Sequence, residues 1–362
     1  MKDFHILVIR PGAIGDVLLT FPVLKALREH YTNAHITLVS NTQVLPLALA
    51  SGVAEEVSDY QDMRWSELFS TTGIRTPSLA SLLDRTDLTI CWIHDADGII
   101  ERNLRAAGVK CLIITSGRPP EDTHIHIVDY LAQTIGLSPV GARLIALNRH
   151  QSNEKLITIR RGEGGGGRRG GPLWSPVSLA TLLRGWCSKD AERDDRRPTR
   201  PTNPDFKETR KQYVAIHPGS GGAKKCWPIR HFAAVIERLW QQNRPVLLLE
   251  GPADTEHLRN LLNLVPSPTV PEMLKVLTNA PLLEVARHLQ QCECYLGNDS
   301  GITHLAAMLG IPTVAIFGPS DPAVWRPVGP SVKVIQEQEL ADVSVDVVME
   351  AIEQYERCQS AG

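Results

Sequence analysis

Three short segments hold the residue types and spacings that could do chemistry. The densest is Gly297-Asn298-Asp299-Ser300-Gly301-Ile302-Thr303-His304-Leu305-Ala306-Ala307, where an apolar strand-like run gives way to a helical pattern. A helix N-terminus at that point presents free N–H groups and the positive end of the helix dipole, which suits a phosphate. Ser300 offers a hydroxyl, Gly301 lets an anion approach the backbone, and His304 follows one turn on. Asp299 would repel a phosphate, so its expected role is to orient loop N–H groups or a sugar hydroxyl. The same residues also fit an ordinary helix start, with Asp299 or Ser300 as N-cap and His304 packed in an interface.

The second segment is His217-Pro218-Gly219-Ser220-Gly221-Gly222-Ala223-Lys224-Lys225-Cys226-Trp227-Pro228. A glycine-rich loop after a strand, with two lysines before a helix, is another phosphate cradle. The ammonium of Lys224 or Lys225 could neutralise a departing diphosphate. It lacks the Gly-Lys-Ser/Thr order of a P-loop, and a plain turn with solvated lysines is the simpler alternative. The third segment, Pro11-Gly12-Ala13-Ile14-Gly15-Asp16, puts an acid at a helix start beside the ends of parallel strands. It does not read GxGxxG, so it is no dinucleotide fingerprint, and Asp16 as a mere N-cap explains the motif taken alone.

The elements that must position these segments follow from the periodicity. Short apolar runs alternate with amphipathic stretches over the first 140 or so residues, the pattern of a parallel sheet covered by helices. His5–Arg10 reads as the first strand and is followed by a helix from near Asp16 to His30. The alternation restarts at Tyr213–His217, with helices over 228–242, 254–264, 282–291 and 301–309 and strands between them. Residues 1–150 therefore read as one α/β unit and 212–340 as a second. Residues 341–362 read as a final helix that could pack back on the first unit. Residues 151–211, rich in glycine, arginine and proline, read as a mobile linker or insert. A basic arm touching a phosphorylated acceptor or anionic lipid is the sharper alternative for that stretch.

Composition narrows the field. The 362 residues are 43% hydrophobic and 22% charged with a formal net charge of -2, a globular balance with no sign of a nucleic-acid partner. Neither an export signal nor a membrane span is expected. Seven cysteines without a CxxC pair fit reduced thiols in the cytoplasm. No metal or cofactor site is expected. Asp95-Ala96-Asp97 has the look of a metal-binding DxD but lies in the wrong half for a donor site.

Together, Ile9–Thr20, His217–Pro228, Asn298–Ala307 and Gly318-Pro319-Ser320-Asp321-Pro322 resemble the family 9 glycosyltransferases, the group containing the lipopolysaccharide heptosyltransferases. The resemblance implies an α/β chain of GT-B architecture, two Rossmann-like domains facing a central cleft, with an acceptor half and a donor half. It implies an inverting, metal-independent transfer of heptose or a similar sugar from a nucleotide-diphosphate sugar, ADP-linked, to a lipopolysaccharide-core or related glycan. Asp16 then corresponds to the catalytic base and Lys225 to the lysine on the leaving diphosphate. Ser220, Gly221, Lys224, Asp299, Ser300, Gly301 and His304 fall at donor-binding positions. Glu256, with Asp254 as alternative, falls at the ribose-binding acid, and the nucleobase belongs near Asn279–Leu282. Gly12 and Gly15 shape the acceptor-side loop. A cytoplasmic enzyme touching the inner membrane face would fit such an acceptor. A nucleotide-sugar epimerase or hydrolase of the same architecture, or a non-catalytic nucleotide-sugar-binding protein, remains the alternative. Two departures stand out, namely the long insert and Ile93–Gly98 where members carry an Asp-Leu-Gln-Gly-like stretch.

Overall fold

The computed structural model describes residues 4–138, 213–268 and 270–360. The expected linker over 151–211 lies outside them, as do Arg160 to Arg210 and their flanks. The described residues form two parallel sheets, each covered by helices.

The first sheet has the order β3-β2-β1-β4-β5. Its strands are β1 (Phe4–Arg10), β2 (Ala34–Ser40), β3 (Glu56–Asp59), β4 (Leu88–Cys91) and β5 (Cys111–Ile114). They are joined by α1 (Ile14–Leu18), α2 (Phe21–His30), α3 (Leu45–Ala50), α4 (Pro77–Asp84) and α5 (Ile99–Ala106), and α6 (Ile127–Thr134) follows. The single helix expected over 16–30 is two. Pro22 sits in the first turn of α2 and brings no N–H to continue a helix from α1.

The second sheet has the order β11-β10-β9-β6-β7-β8. Its strands are β6 (Tyr213–His217), β7 (Val246–Glu250), β8 (Leu274–Thr278), β9 (Cys292–Asn298), β10 (Thr313–Phe317) and β11 (Val332–Gln336). Its helices are α7 (Ile229–Gln241), α8 (Thr255–Leu264), α9 (Leu282–Leu289), α10 (Gly301–Met308), α11 (Pro322–Trp325) and α12 (Val345–Ser360).

In both sheets the strand order reverses at the strand that opens the half. β1 pairs with β2 and β4, and β6 pairs with β7 and β9, all in parallel. Loops leaving such neighbours diverge, and a ligand crevice opens between them. All three chemistry-bearing segments lie at these two points.

α12 departs from expectation. Its Val348, Met349, Ala351 and Ile352 are buried in the same cluster as Val214, Ile216 and Phe232 of the second unit. Trp227 Nε1 donates to Val343 O at 3.1 Å just ahead of it, and Arg238 on α7 pairs with Asp346. The apolar stripe of α12 is thus spent on the C-terminal sheet and α7 rather than on the first unit. The halves meet elsewhere, in an apolar cluster that joins Val17, Leu18 and Leu24 to Leu305, Met308 and Val328. Among the described residues no helix is long and apolar enough to cross a membrane.

Candidate active site between the two sheets

A cavity of about 930 Å³ lies between the halves. From the first half it is lined by Gly15, Asp16 and Arg118, and from the second by both glycine-rich loops and by Asn279–Leu282.

On the second half the two loops form one cradle. Asn298, wholly buried at the end of β9, accepts from Trp227 N at 2.9 Å and donates to Pro218 O at 2.8 Å. Ser220 Oγ donates to Asp299 O at 2.7 Å. Lys225 Nζ, at the end of a short 3-10 turn, lies 2.7 Å from Asp299 Oδ2. On its other side Asp299 faces His304 Nε2 at 3.8 Å. Burial works against the charge on Asp299, yet His304, Lys225 and Ser320 together hold its carboxyl well below the usual range. Asp299 therefore orients a lysine rather than contacting an anion. Lys225 keeps 41% of its side chain exposed and lines the cavity.

Ser300 is the N-cap of α10, and its Oγ accepts from Thr303 N. The N-cap reading of this segment is met, and Ser300, Gly301 and His304 stand at the cavity wall. Of the other expected donor residues, Ser220, Gly221, Gly301 and Asp254 line the cavity. Lys224 and Glu256 are exposed and lie outside its lining. Asp254 is nearly buried and already engaged, with Gly251 N and His217 Nε2 on its Oδ2 at 3.0 and 2.9 Å. Glu250, at the end of β7, also lines the cavity, although nothing in its sequence context marks it out.

On the first half Asp16 is the third residue of α1, not its N-cap. The N-cap is Ala13, whose N–H reaches Asp16 Oδ2 at 3.3 Å. Gly12 has φ +146, and a Cβ there would come within 3.1 Å of Asp16 Oδ2. A glycine is thus needed both for the turn and for room beside the carboxylate. Arg118 Nη2 approaches Asp16 to 3.7 Å. Arg10 is buried beneath, with Nε and Nη2 lacking a hydrogen-bond partner among the described residues. Burial pushes its guanidinium down, and Asp16 opposes that. Neither arginine stands in a recognisable motif, so the sequence offers no signal for them beyond Arg10 closing β1.

Beside the cavity the two halves are in close contact. A Cβ on Gly301 would lie 2.7 Å from Ile14 Cβ and 3.1 Å from Gly15 N, and one on Gly15 would lie 3.0 Å from His304 Cδ2. The N-termini of α1 and α10 therefore abut, and Asp16 shares the cavity with the two glycine-rich loops. His124–Asp321 at 2.7 Å and His126 Nε2 to Arg326 O at 2.9 Å tie the halves together farther out. Asp95 and Asp97 do not point into the cavity: they accept from Ile100 N, Glu101 N and Ile99 N at the start of α5. Among the described residues no three His, Cys, Asp or Glu side chains are grouped to hold a metal ion.

Comparison with known proteins points the same way. Residues 187–352 match the family "Glycosyltransferase family 9 (heptosyltransferase)". Lipopolysaccharide heptosyltransferase 3 of Escherichia coli is 29% identical over 32% of this chain and 34% of its own length, so the chain spans about a third of that relative. Lipooligosaccharide heptosyltransferase 2 of Haemophilus influenzae is 22% identical over 92% of this chain and 88% of its own. The solved structure of Escherichia coli ADP-heptose lps heptosyltransferase II superposes with a TM-score of 0.64 at 19% identity, covering 97% of this chain and 98% of that one. That last likeness speaks for the fold, two Rossmann-like domains in the GT-B arrangement.

Proposed function

We propose, from the match of residues 187–352 to glycosyltransferase family 9, that this chain transfers a heptose or similar sugar from an ADP-linked donor to a lipopolysaccharide-core glycan. The observation that carries the reading is the opposition of Asp16 to the Lys225–Asp299 cradle across one cavity. In an inverting displacement the acceptor oxygen attacks the anomeric carbon from the face opposite the departing diphosphate. A base is needed on the acceptor side and positive charge on the other. Asp16 is the one carboxylate that the first half contributes to the cavity lining among the described residues.

On the donor side the diphosphate meets the free N–H groups of α10 and the Lys225 ammonium. These supply electrostatic stabilisation of the developing charge, and no divalent ion is needed in this scheme. The nucleoside extends toward Asn279–Leu282 and Glu250. Arg118, whose side chain is 73% exposed beside Asp16, receives an anionic group of the acceptor. Such an acceptor is anchored in a lipid leaflet, so the enzyme works in the cytoplasm against the inner membrane face.

The test is turnover of ADP-heptose with a lipopolysaccharide-core acceptor, with and without chelator, and assignment of the product anomer by NMR. Inverted product at an unchanged rate in chelator is expected. Retained configuration, or strict dependence on a metal, would sink the mechanism.

A further inference from the structure

Five tryptophans lie among the described residues, and four of them place the indole N–H on a fixed acceptor. Trp65 donates to Ser58 Oγ at 2.9 Å, Trp92 to Thr134 Oγ1 at 2.9 Å, Trp227 to Val343 O at 3.1 Å and Trp240 to Met273 O at 3.0 Å. Trp325, which closes α11, is the exception: among the described residues its Nε1 has no partner. It is also the one Trp, Tyr or Phe that lines the cavity between the halves among those residues. A tryptophan pairs a broad apolar face with a polar tip. Here the ring is half-buried against the cluster that joins Val17 and Leu18 to Leu305 and Val328, and the tip is unspent.

Trp325 comes from the second half of the chain, yet its segment is fastened to the first half at both ends. His124 Nδ1 lies 2.7 Å from Asp321 Oδ2 just before α11, and His126 Nε2 lies 2.9 Å from Arg326 O just after it. His126 is in turn the N-cap of α6. The ring is thereby held on the side of the half that carries Asp16. From the loop between β2 and α3, Thr42 and Gln43 bring an exposed hydroxyl and an exposed amide to the same lining. Neither side chain has a hydrogen-bond partner among the described residues. Asn41 Nδ2 donates to Gly12 O at 3.3 Å and ties this loop to the turn that carries Asp16.

A sugar ring has flat C–H faces and an edge of hydroxyls. An aromatic face next to unengaged hydroxyl and amide groups matches both surfaces at once. We propose that Trp325 is the stacking platform for the acceptor's sugar ring, and that Thr42 and Gln43 take hydroxyls on the edge of that ring. The proposal rests on the glycan-transfer reading of the cavity. A nucleobase would also stack on an indole, but the place read for it, Asn279–Leu282, belongs to the other wall. Stacking beside Asp16 is made alike before and during transfer, so its loss raises the acceptor KM and leaves kcat nearly unchanged.

The experiment pairs 19F NMR of the full chain labelled with 5-fluorotryptophan with steady-state kinetics. The probes are ADP and a deacylated lipopolysaccharide-core oligosaccharide. Trp325→Phe assigns the Trp325 line. The oligosaccharide should move that line in the ADP-bound protein, and ADP alone should move it far less. Trp325→Leu should raise the acceptor KM about tenfold, the worth of one aromatic contact, with kcat and ADP affinity within about twofold. Trp325→Phe keeps a flat face and should recover most of that loss. Gln43→Ala alters only an exposed side chain and should raise the same KM about threefold. The proposal is overturned by an unchanged acceptor KM in Trp325→Leu, or by a Trp325 line that the oligosaccharide leaves in place at a concentration saturating transfer. A line that ADP alone moves as far would make the ring a nucleobase contact instead and overturn it too. If the wild-type chain neither binds nor glycosylates the oligosaccharide, the glycan-transfer reading fails and the platform falls with it.

Discussion

The two walls of the cleft are built in opposite ways. On the C-terminal wall the key polar side chains are already engaged: Asn298 laces the two loops, Asp299 holds Lys225, and Ser300 caps α10. On the N-terminal wall Asp16 has one weak backbone contact at 3.3 Å and one exposed arginine at 3.7 Å. A pyrophosphate is a compact, fixed charge that rewards a prebuilt cradle, because donors already in place need no reorganisation. A base that must take a proton from an arriving hydroxyl has to stay uncommitted. The contrast between an engaged wall and an open one suits the proposed transfer from a small donor to a large acceptor.

The largest expected effect lies on the open wall. Asp16→Asn keeps a side-chain acceptor for Ala13 N–H, so stability and ADP affinity should survive. Sugar transfer should fall by about 10²–10⁴-fold, the usual range for removing a general base. Near-normal turnover would reduce Asp16 to a first-turn acid worth only about 0.3–1 kcal/mol and erase the division between the walls.

On the engaged wall the loss is smaller but felt in binding as well. Lys225→Ala removes a charge-assisted contact, and turnover and ADP affinity should each drop by roughly 10–100-fold, matching about 1.5–3 kcal/mol. Lys224→Ala, at an exposed position outside the lining, should stay within about twofold. Equal losses measured by calorimetry for both variants would show that the cradle reads only overall charge.

A loss smaller than that of Lys225→Ala is expected at the seam. In Gly301→Ala the new methyl would press on Ile14 and Gly15 of the opposite half. Overpacking costs about 1 kcal/mol or more, so transfer should fall roughly fivefold. ADP affinity should move less, since the clash lies between the walls. A variant that lost ADP binding but kept the transfer rate at saturation would place the seam inside the donor site instead.

The legibility of the fold follows burial. The interior strands β1, β2, β4, β6, β7, β9 and β10 announce themselves as apolar runs, whereas β3, β8 and β11 leave no such mark in the sequence. All three are sheet edges with mixed or largely exposed burial. An edge strand covered on few sides need not show an apolar run, although β5, an edge of the first sheet, keeps one in Cys111–Ile114. The sequence over α12 reads as a helix and is one, but its 3.6-residue stripe does not say which sheet it covers.

The local chain determined which loops hold chemistry. A strand ending in Asn298-Asp299-Ser300-Gly301, a lysine turn before Trp227-Pro228, and an acid two residues into α1 are matters of residue order, and spacing alone put them at strand-to-helix turns. Tertiary structure decided what each side chain does there. Asp299 became the partner of Lys225, Asp254 the partner of His217, and Arg10 and Arg118 the neighbours of Asp16, mostly through contacts between residues tens of positions or more apart. Such pairings depend on which loops converge when two sheets reverse their strand order and face each other, and periodicity within a segment holds no record of that.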